Sequence, residues 1–291
     1  MLSLFADACL DALVDTARLL PFLFVTYLIM ETLERRTEEK NAGLLEQSGR
    51  HGPLIGAALG VVPQCGFSAA AASLYAGGLI SIGTLLSVFL STSDEMLPIL
   101  ISQQVPVPSI LLILFTKFFL GALTGFALDS ILRLTRYRYK TEKRIHDLCE
   151  KEHCGCEEEE GSVLHSAIVH TLHIAAFILV ISFLLTLLVE GFGEEYIEAL
   201  LVGRPITGVL LSGLIGLIPN CASSIMITQL YLEELVGAGQ MMAGLLVSAG
   251  VGVLVLFRTN AHPKENLKIT AILYLAGVFW GILIELLGIV F

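Results

Sequence analysis

The most chemically loaded run in this chain is Ser91-Thr92-Ser93-Asp94-Glu95, set between two apolar stretches. Adjacent carboxylates inside an apolar segment are expensive to bury, and they mark a functional site by default. Read as helix, the segment puts Thr84, Ser87, Ser91 and Glu95 on one face at i, i+3, i+7 and i+11, with Asp94 at its border. Hydroxyl and carboxylate oxygens in that density suit Mn²⁺ or another hard divalent ion. The alternative is structural: Lys117, in the next apolar segment, neutralises one of the acids.

Two further motifs answer one another. Pro63-Gln64-Cys65 recurs as Pro219-Asn220-Cys221, each between two short apolar segments. Proline removes a backbone N–H and frees the carbonyl four residues back, that of Leu59 for Pro63 and that of Ile215 for Pro219. Such carbonyls, with the amide oxygens of Gln64 and Asn220, could ligate a cation or simply hold a helix break. Cys65 and Cys221 read equally well as small packing residues. A third cluster, His146, Cys149, His153, Cys154 and Cys156, precedes Glu157 to Glu160 and offers softer sulfur and imidazole ligands of the kind that capture zinc and its neighbours. Its spacing is not that of a zinc finger, and an ordinary polar linker is the competing reading.

These residues need a membrane to position them. Of 291 residues 55% are hydrophobic and 15% charged, more apolar surface than a soluble core can use. At roughly 20 apolar residues per crossing, that supplies about eight crossings' worth of lining. A net charge of −10 argues against a nucleic-acid partner. Ten apolar segments follow in order: Leu4 to Leu33, Leu54 to Val62, Phe67 to Ala76, Leu79 to Ile101, Ile110 to Leu134, Val163 to Val189, Ile206 to Ile218, Ala222 to Leu235, Ala238 to Phe257 and Ile269 to Phe291. Residues 136–162 form a hydrophilic linker between membrane halves 1–135 and 163–291.

At an offset of 156, Gly60, Pro63, Cys65, Ser68, Leu74 and Tyr75 recur as Gly216, Pro219, Cys221, Ser224, Leu230 and Tyr231. Five segments per half is an odd number, so the second copy is expected upside down. The expected fold is an all-α polytopic membrane protein of two inverted five-segment repeats, each with a short re-entrant helix pair. Positive charge then sets its orientation. Fourteen Lys/Arg fall on the side that holds the linker and one, Arg204, on the other. By the positive-inside rule the linker is cytoplasmic and both termini external. Asp7, Asp11, Asp15 and the Glu190 to Glu198 acids then face outward, as an acidic vestibule or as an ordinary solvated surface.

The strings Gly60-Val-Val-Pro-Gln-Cys-Gly-Phe-Ser68 and Phe89-Leu-Ser-Thr-Ser-Asp-Glu-Met-Leu-Pro98, with the His/Cys-bearing linker, resemble a family of ten-segment heavy-metal exporters. Its members are commonly labelled manganese transporters and named by analogy with arsenic permeases. The resemblance implies a secondary transporter in the cytoplasmic membrane of a prokaryote, exporting divalent metal, Mn²⁺ first, by alternating access. The implied site joins Pro63, Gln64, Cys65, Ser91, Ser93, Asp94, Glu95, Pro219, Asn220 and Cys221, with Asp94, Glu95, Gln64 and Asn220 as metal ligands. No P-loop is visible, so an H⁺ or Na⁺ gradient is the expected energy source, and no catalytic cofactor is called for. Self-association is left open. An oxyanion or organoarsenical permease is the first alternative, because helix N-termini near Gly66 and Ala222 attract anions. A membrane metalloenzyme is the second, and the spans lack a His-rich motif for it.

The charge asymmetry makes a direct prediction. In intact cells Cys149 is protected from a membrane-impermeant thiol reagent and becomes reactive on permeabilisation. Ready labelling from outside would place the linker on the wrong face.

Overall fold

A computed structural model of the chain describes residues 9–28 apart from 11, 15 and 22, then 51–93, 96–134, 163–192, 201 and 205–291. Among these residues every regular element is helical. Asp94, Glu95 and the whole linker with His146, Cys149, His153, Cys154 and Cys156 lie outside them, as does the side chain of Cys221.

The first half comprises α1 (9–28), α2 (Gly52–Val61), α3 (Gly66–Ala76), α4 (Ile82–Ser91), α5 (Met96–Ser102) and α6 (Val107–Leu134). The second comprises α7 (Val163–Phe192), α8 (Pro205–Gly216), α9 (Cys221–Leu232), α10 (Ala238–Val247), α11 (Gly252–Thr259) and α12 (Pro263–Leu287). The offset of 156 therefore reaches well past the proline motifs: α4 shifted by 156 has the bounds of α10, and the starts of α5 and α6 map onto those of α11 and α12.

Two expected spans prove to be discontinuous. Leu79 to Ile101 is not one helix with a face running to Glu95, because α4 ends at Ser91 and Thr92 is extended (φ −52°, ψ 128°). The Ser91 hydroxyl bonds Ser87 O and the Thr92 hydroxyl bonds Val88 O, at 2.7 and 2.8 Å. Pro98 lies in the first turn of α5, where proline is tolerated because no helical bond is lost. The Ala238 to Phe257 span breaks at the corresponding place, where Ser248 is extended and Gly250 takes φ +53°, a left-handed conformation that costs glycine little.

The broken helices form the centre of the bundle. Of the most apolar 18-residue windows, those of α4–α5 and α10–α11 are 75% and 89% buried, against 39% for α6 and 33% for α12. The outer helices expose Leu111, Phe115, Phe119, Leu275, Phe279 and Leu286, an apolar coat that only lipid solvates well. Among the described residues, α4–α5, α6, α7, α10–α11 and α12 give five stretches long and apolar enough to cross a membrane.

Small residues bring backbones into contact at matching positions. A Cβ on Gly60 would meet Val88 O, and one on Gly216 would meet Gly244 O. Gly121-x-x-x-Gly125 and Gly277-x-x-x-Gly281 lay α6 on α4 and α12 on α10, so that a Cβ on Gly125 or Gly281 would strike Gly83 O or Gly239 O. The same pairing recurs in the polar caps. Asp129, from α6, accepts from Gly83 N at 3.0 Å and Ser81 Oγ at 2.7 Å. Glu285, from α12, accepts from Gly239 N at 3.0 Å. Each carboxylate satisfies an otherwise unpaired N–H at the start of a central helix and sits favourably at its positive end.

The halves also interlock. The second hairpin helix of each half packs on the distal piece of the other half's broken helix, α3 on α11 and α9 on α5. Trp280 Nε1 donates to Thr124 Oγ1 at 2.9 Å, a contact between two positions 156 apart.

If close backbone approach sets this architecture, Gly125→Leu and Gly281→Leu will each lower the thermal midpoint in detergent by about 10 °C or more, whereas lipid-facing Leu111→Ala will shift it by only about 2 °C. Differential scanning fluorimetry decides it, and unchanged midpoints for both glycine variants would contradict the packing argument.

Candidate functional site

The two helix breaks meet at a small cavity, with room for little more than a water molecule. Thr92, Ser93, Met96 and Lys117 line it from the first half, and Ser224, Leu245, Ser248 and Gly250 from the second. Thr92 and Ser248 lie 156 residues apart, each just past the end of a central helix, so the cavity is lined by both interruptions.

Lys117 is its dominant feature. It comes from the eleventh residue of α6, about 15 Å along that helix, and is only 1% exposed. Its ammonium donates to Thr92 O in the first break and to Leu245 O, at 3.0 Å, in the last turn of α10. A carbonyl in that turn lacks its helical partner once the helix stops, and Lys117 supplies one. The repeat-related position is Leu273, fully buried, so the charge belongs to one half alone.

The hydroxyls divide into two groups. Thr84, Ser87 and Ser91 are buried but point into helix contacts: Ser87 Oγ donates to Gly83 O at 2.9 Å and Gly121 O at 3.0 Å, and Ser91 lies against Gly60. Thr92, Ser93, Ser224 and Ser248, in contrast, line the cavity. The chain enters the undescribed pair Asp94-Glu95 from Ser93 and leaves it at Met96, both of them lining residues.

The proline turns lie elsewhere. Gln64 N donates to Val62 O at 2.8 Å and Asn220 N to Ile218 O at 2.7 Å, the same tight turn twice. Neither expected free carbonyl is free: Leu59 O accepts from Val62 N at 3.2 Å and Ile215 O from Ile218 N at 3.0 Å. Each helix end tightens into i to i+3 bonding, which recovers the bond that proline removes. Gln64 is half-buried and reaches Arg18 O at 3.4 Å, Asn220 is buried, Pro63 is exposed, Pro219 is half-exposed and Cys65 packs in the core. None of these five lines the cavity. Among the described residues no three His, Cys, Asp or Glu side chains gather closely enough to hold a metal ion.

Of the lining residues only Ser93 belongs to the site expected from sequence; Thr92, Met96, Lys117, Ser224, Leu245, Ser248 and Gly250 were left out of it. Lys117 was visible as a lone cation in a long apolar segment. Ser248 and Gly250 become visible once residues 92–95 are carried forward by 156.

No curated protein and no solved structure matches this chain. A family profile does match, over residues 2–200, which is more than half of the chain and includes the first half, the linker and α7. With its apolar helices and its resemblance in the Pro63 and Ser91 to Glu95 strings, the chain belongs to the ArsP_2 family, described as "Putative, 10TM heavy-metal exporter".

Proposed function

We propose that the protein is a secondary active exporter of divalent heavy-metal ions, with Mn²⁺ the favoured substrate, working by alternating access around the crossing of its two broken helices. The observation that carries this is the placement of Asp94-Glu95 in sequence between Ser93 and Met96, two lining residues of the cavity where the breaks meet. Discontinuous helices at the centre of a repeat-built bundle are where transporters bind ions, because the interruption offers polar backbone at a depth without water. In this reading Asp94 and Glu95 offset the charge of the dehydrated ion. Thr92, Ser93 and Ser248 contribute oxygens.

The short helices complete the cycle. At 10 to 12 residues, α2, α3, α8 and α9 are each about 15 to 18 Å long, roughly half a bilayer's hydrocarbon thickness. Two re-entrant hairpins entering from opposite faces, in oppositely oriented repeats, suit that length. Their turns act as gates, and Gln64 and Asn220 add ligands as a hairpin closes in. Energy comes from H⁺ or Na⁺ moving the other way. The linker's His146, Cys149, His153, Cys154 and Cys156 capture metal on the cytoplasmic face and feed the site.

One observation favours a second reading. A buried ammonium beside four hydroxyls is also the chemistry of an anion site, which would suit an oxyanion or organoarsenical. Asp94 and Glu95 oppose an anion at the same place unless protonated.

Transport into inverted membrane vesicles separates the two. Asp94→Asn or Glu95→Gln, each nearly isosteric, should cut Mn²⁺ or Cd²⁺ accumulation at least about tenfold, the loss expected when a charge that offsets a dehydrated ion is removed. Replacing Cys149, Cys154, Cys156 and His153 together should weaken apparent affinity and leave the maximal rate mostly intact. Undiminished metal transport in both carboxylate variants would reject the metal site, and arsenite or arsonate accumulation by the native protein would install the anion reading.

A further inference from the structure

The metal reading leaves Lys117 unexplained. A buried ammonium in the cavity proposed to bind a cation stands where the substrate cation should, and it belongs to one half only. We propose that Lys117 is the resident cation of the empty site: its ammonium occupies the substrate's place between the breaks and must withdraw when a metal ion enters. This rests on the metal-exporter reading and assigns the residue that sets its affinity and ties substrate binding to conformation.

Three observations carry it. First, Lys117 Nζ donates to backbone carbonyls at both interruptions, Thr92 O and Leu245 O, the oxygen type that coordinates a hard cation. Second, the ammonium is tied to both halves at once, so it is a cross-link between the two broken helices as well as a charge. A divalent ion between Thr92 and Ser248 would meet a like charge at close range in a region of low dielectric, where such repulsion is strong. Metal and ammonium therefore exclude each other, and loading the site breaks the tie. Third, the charge is not a feature that the two halves share. Its counterpart Leu273 fills the equivalent position of α12, buried against the core.

The consequence concerns substrate release as much as binding. A resident ammonium lowers affinity for metal in the empty protein, and on the discharge side its return competes the ion off. A site holding Asp94 and Glu95 without such a competitor would bind a divalent ion tightly and turn over poorly.

The test uses the purified full-length protein and Mn²⁺ or Cd²⁺ alone, with equilibrium binding by titration calorimetry as the readout. Lys117→Leu copies the residue of the other half, and Lys117→Met keeps an unbranched apolar chain. Either should bind metal about tenfold or more tightly than native protein, because the competing charge is gone. Lys117→Arg should bind more weakly, since its larger fork of donors holds the same carbonyls. A merely structural lysine predicts the opposite sign for the apolar variants. If native protein binds metal and these variants bind it equally or less well, the inference fails and the exporter reading stands. If neither native nor variant protein binds metal, the exporter reading fails and takes the inference with it. If both apolar variants fail to fold, Lys117→Arg decides: weaker binding supports the competitor, and equal or tighter binding overturns it.

Discussion

A helix that stops inside a membrane leaves carbonyl groups where no water can reach them, and here the bond from Lys117 to Thr92 O and Leu245 O meets that demand for both interruptions together. The remaining architecture is arranged around keeping those interruptions adjacent. α4–α5 and α10–α11 are the most buried spans, so every side must be packed by protein. The contacts that pack them are made by glycines at close backbone approach, Gly60, Gly121 and Gly125 around α4 and Gly216, Gly277 and Gly281 around α10. Larger residues would hold the helices apart and open the cavity between them.

The starts of the same two helices carry the complementary burden. Their N–H groups point the other way along the axis and are answered by carboxylates, Asp129 for α4 and Glu285 for α10. The central helices are thus held by acids at one end and by an ammonium at the other, the arrangement their dipoles favour. The caps are symmetric between the halves, and the ammonium is not. The caps recur in both halves, while the one-sided Lys117 brings charge to the crossing point.

Much of this was legible in the residues. Apolar periodicity and length established an all-helical bundle, and the Pro63 and Pro219 motifs located both hairpin turns. The breaks in the central spans were harder to see, because Thr84, Ser87 and Ser91 recur at helical spacing and suggest a face that continues to Glu95. The local signal against it was Pro98, which is tolerated in a helix's first turn and costly in its interior. The stronger signal was the offset of 156, followed beyond the hairpins to Gly83 and Gly239, Gly125 and Gly281, Asp129 and Glu285. Counting four residues back from Pro63 and Pro219 overstated the free carbonyls, because a helix end can close on the third residue instead. What no spacing rule conveys is that a side chain from α6 reaches a carbonyl in α10, 128 residues later.

The central claim is that substrate metal binds where the two helix breaks cross. Anomalous diffraction from crystals of the full-length protein equilibrated with Cd²⁺ tests it most directly. The account predicts a peak between residues 92–95 and residues 248–250, with the Lys117 ammonium displaced from Thr92 O. A peak confined to the Cys149 to Cys156 linker, with the crossing empty and Lys117 unmoved at saturating metal, would contradict it.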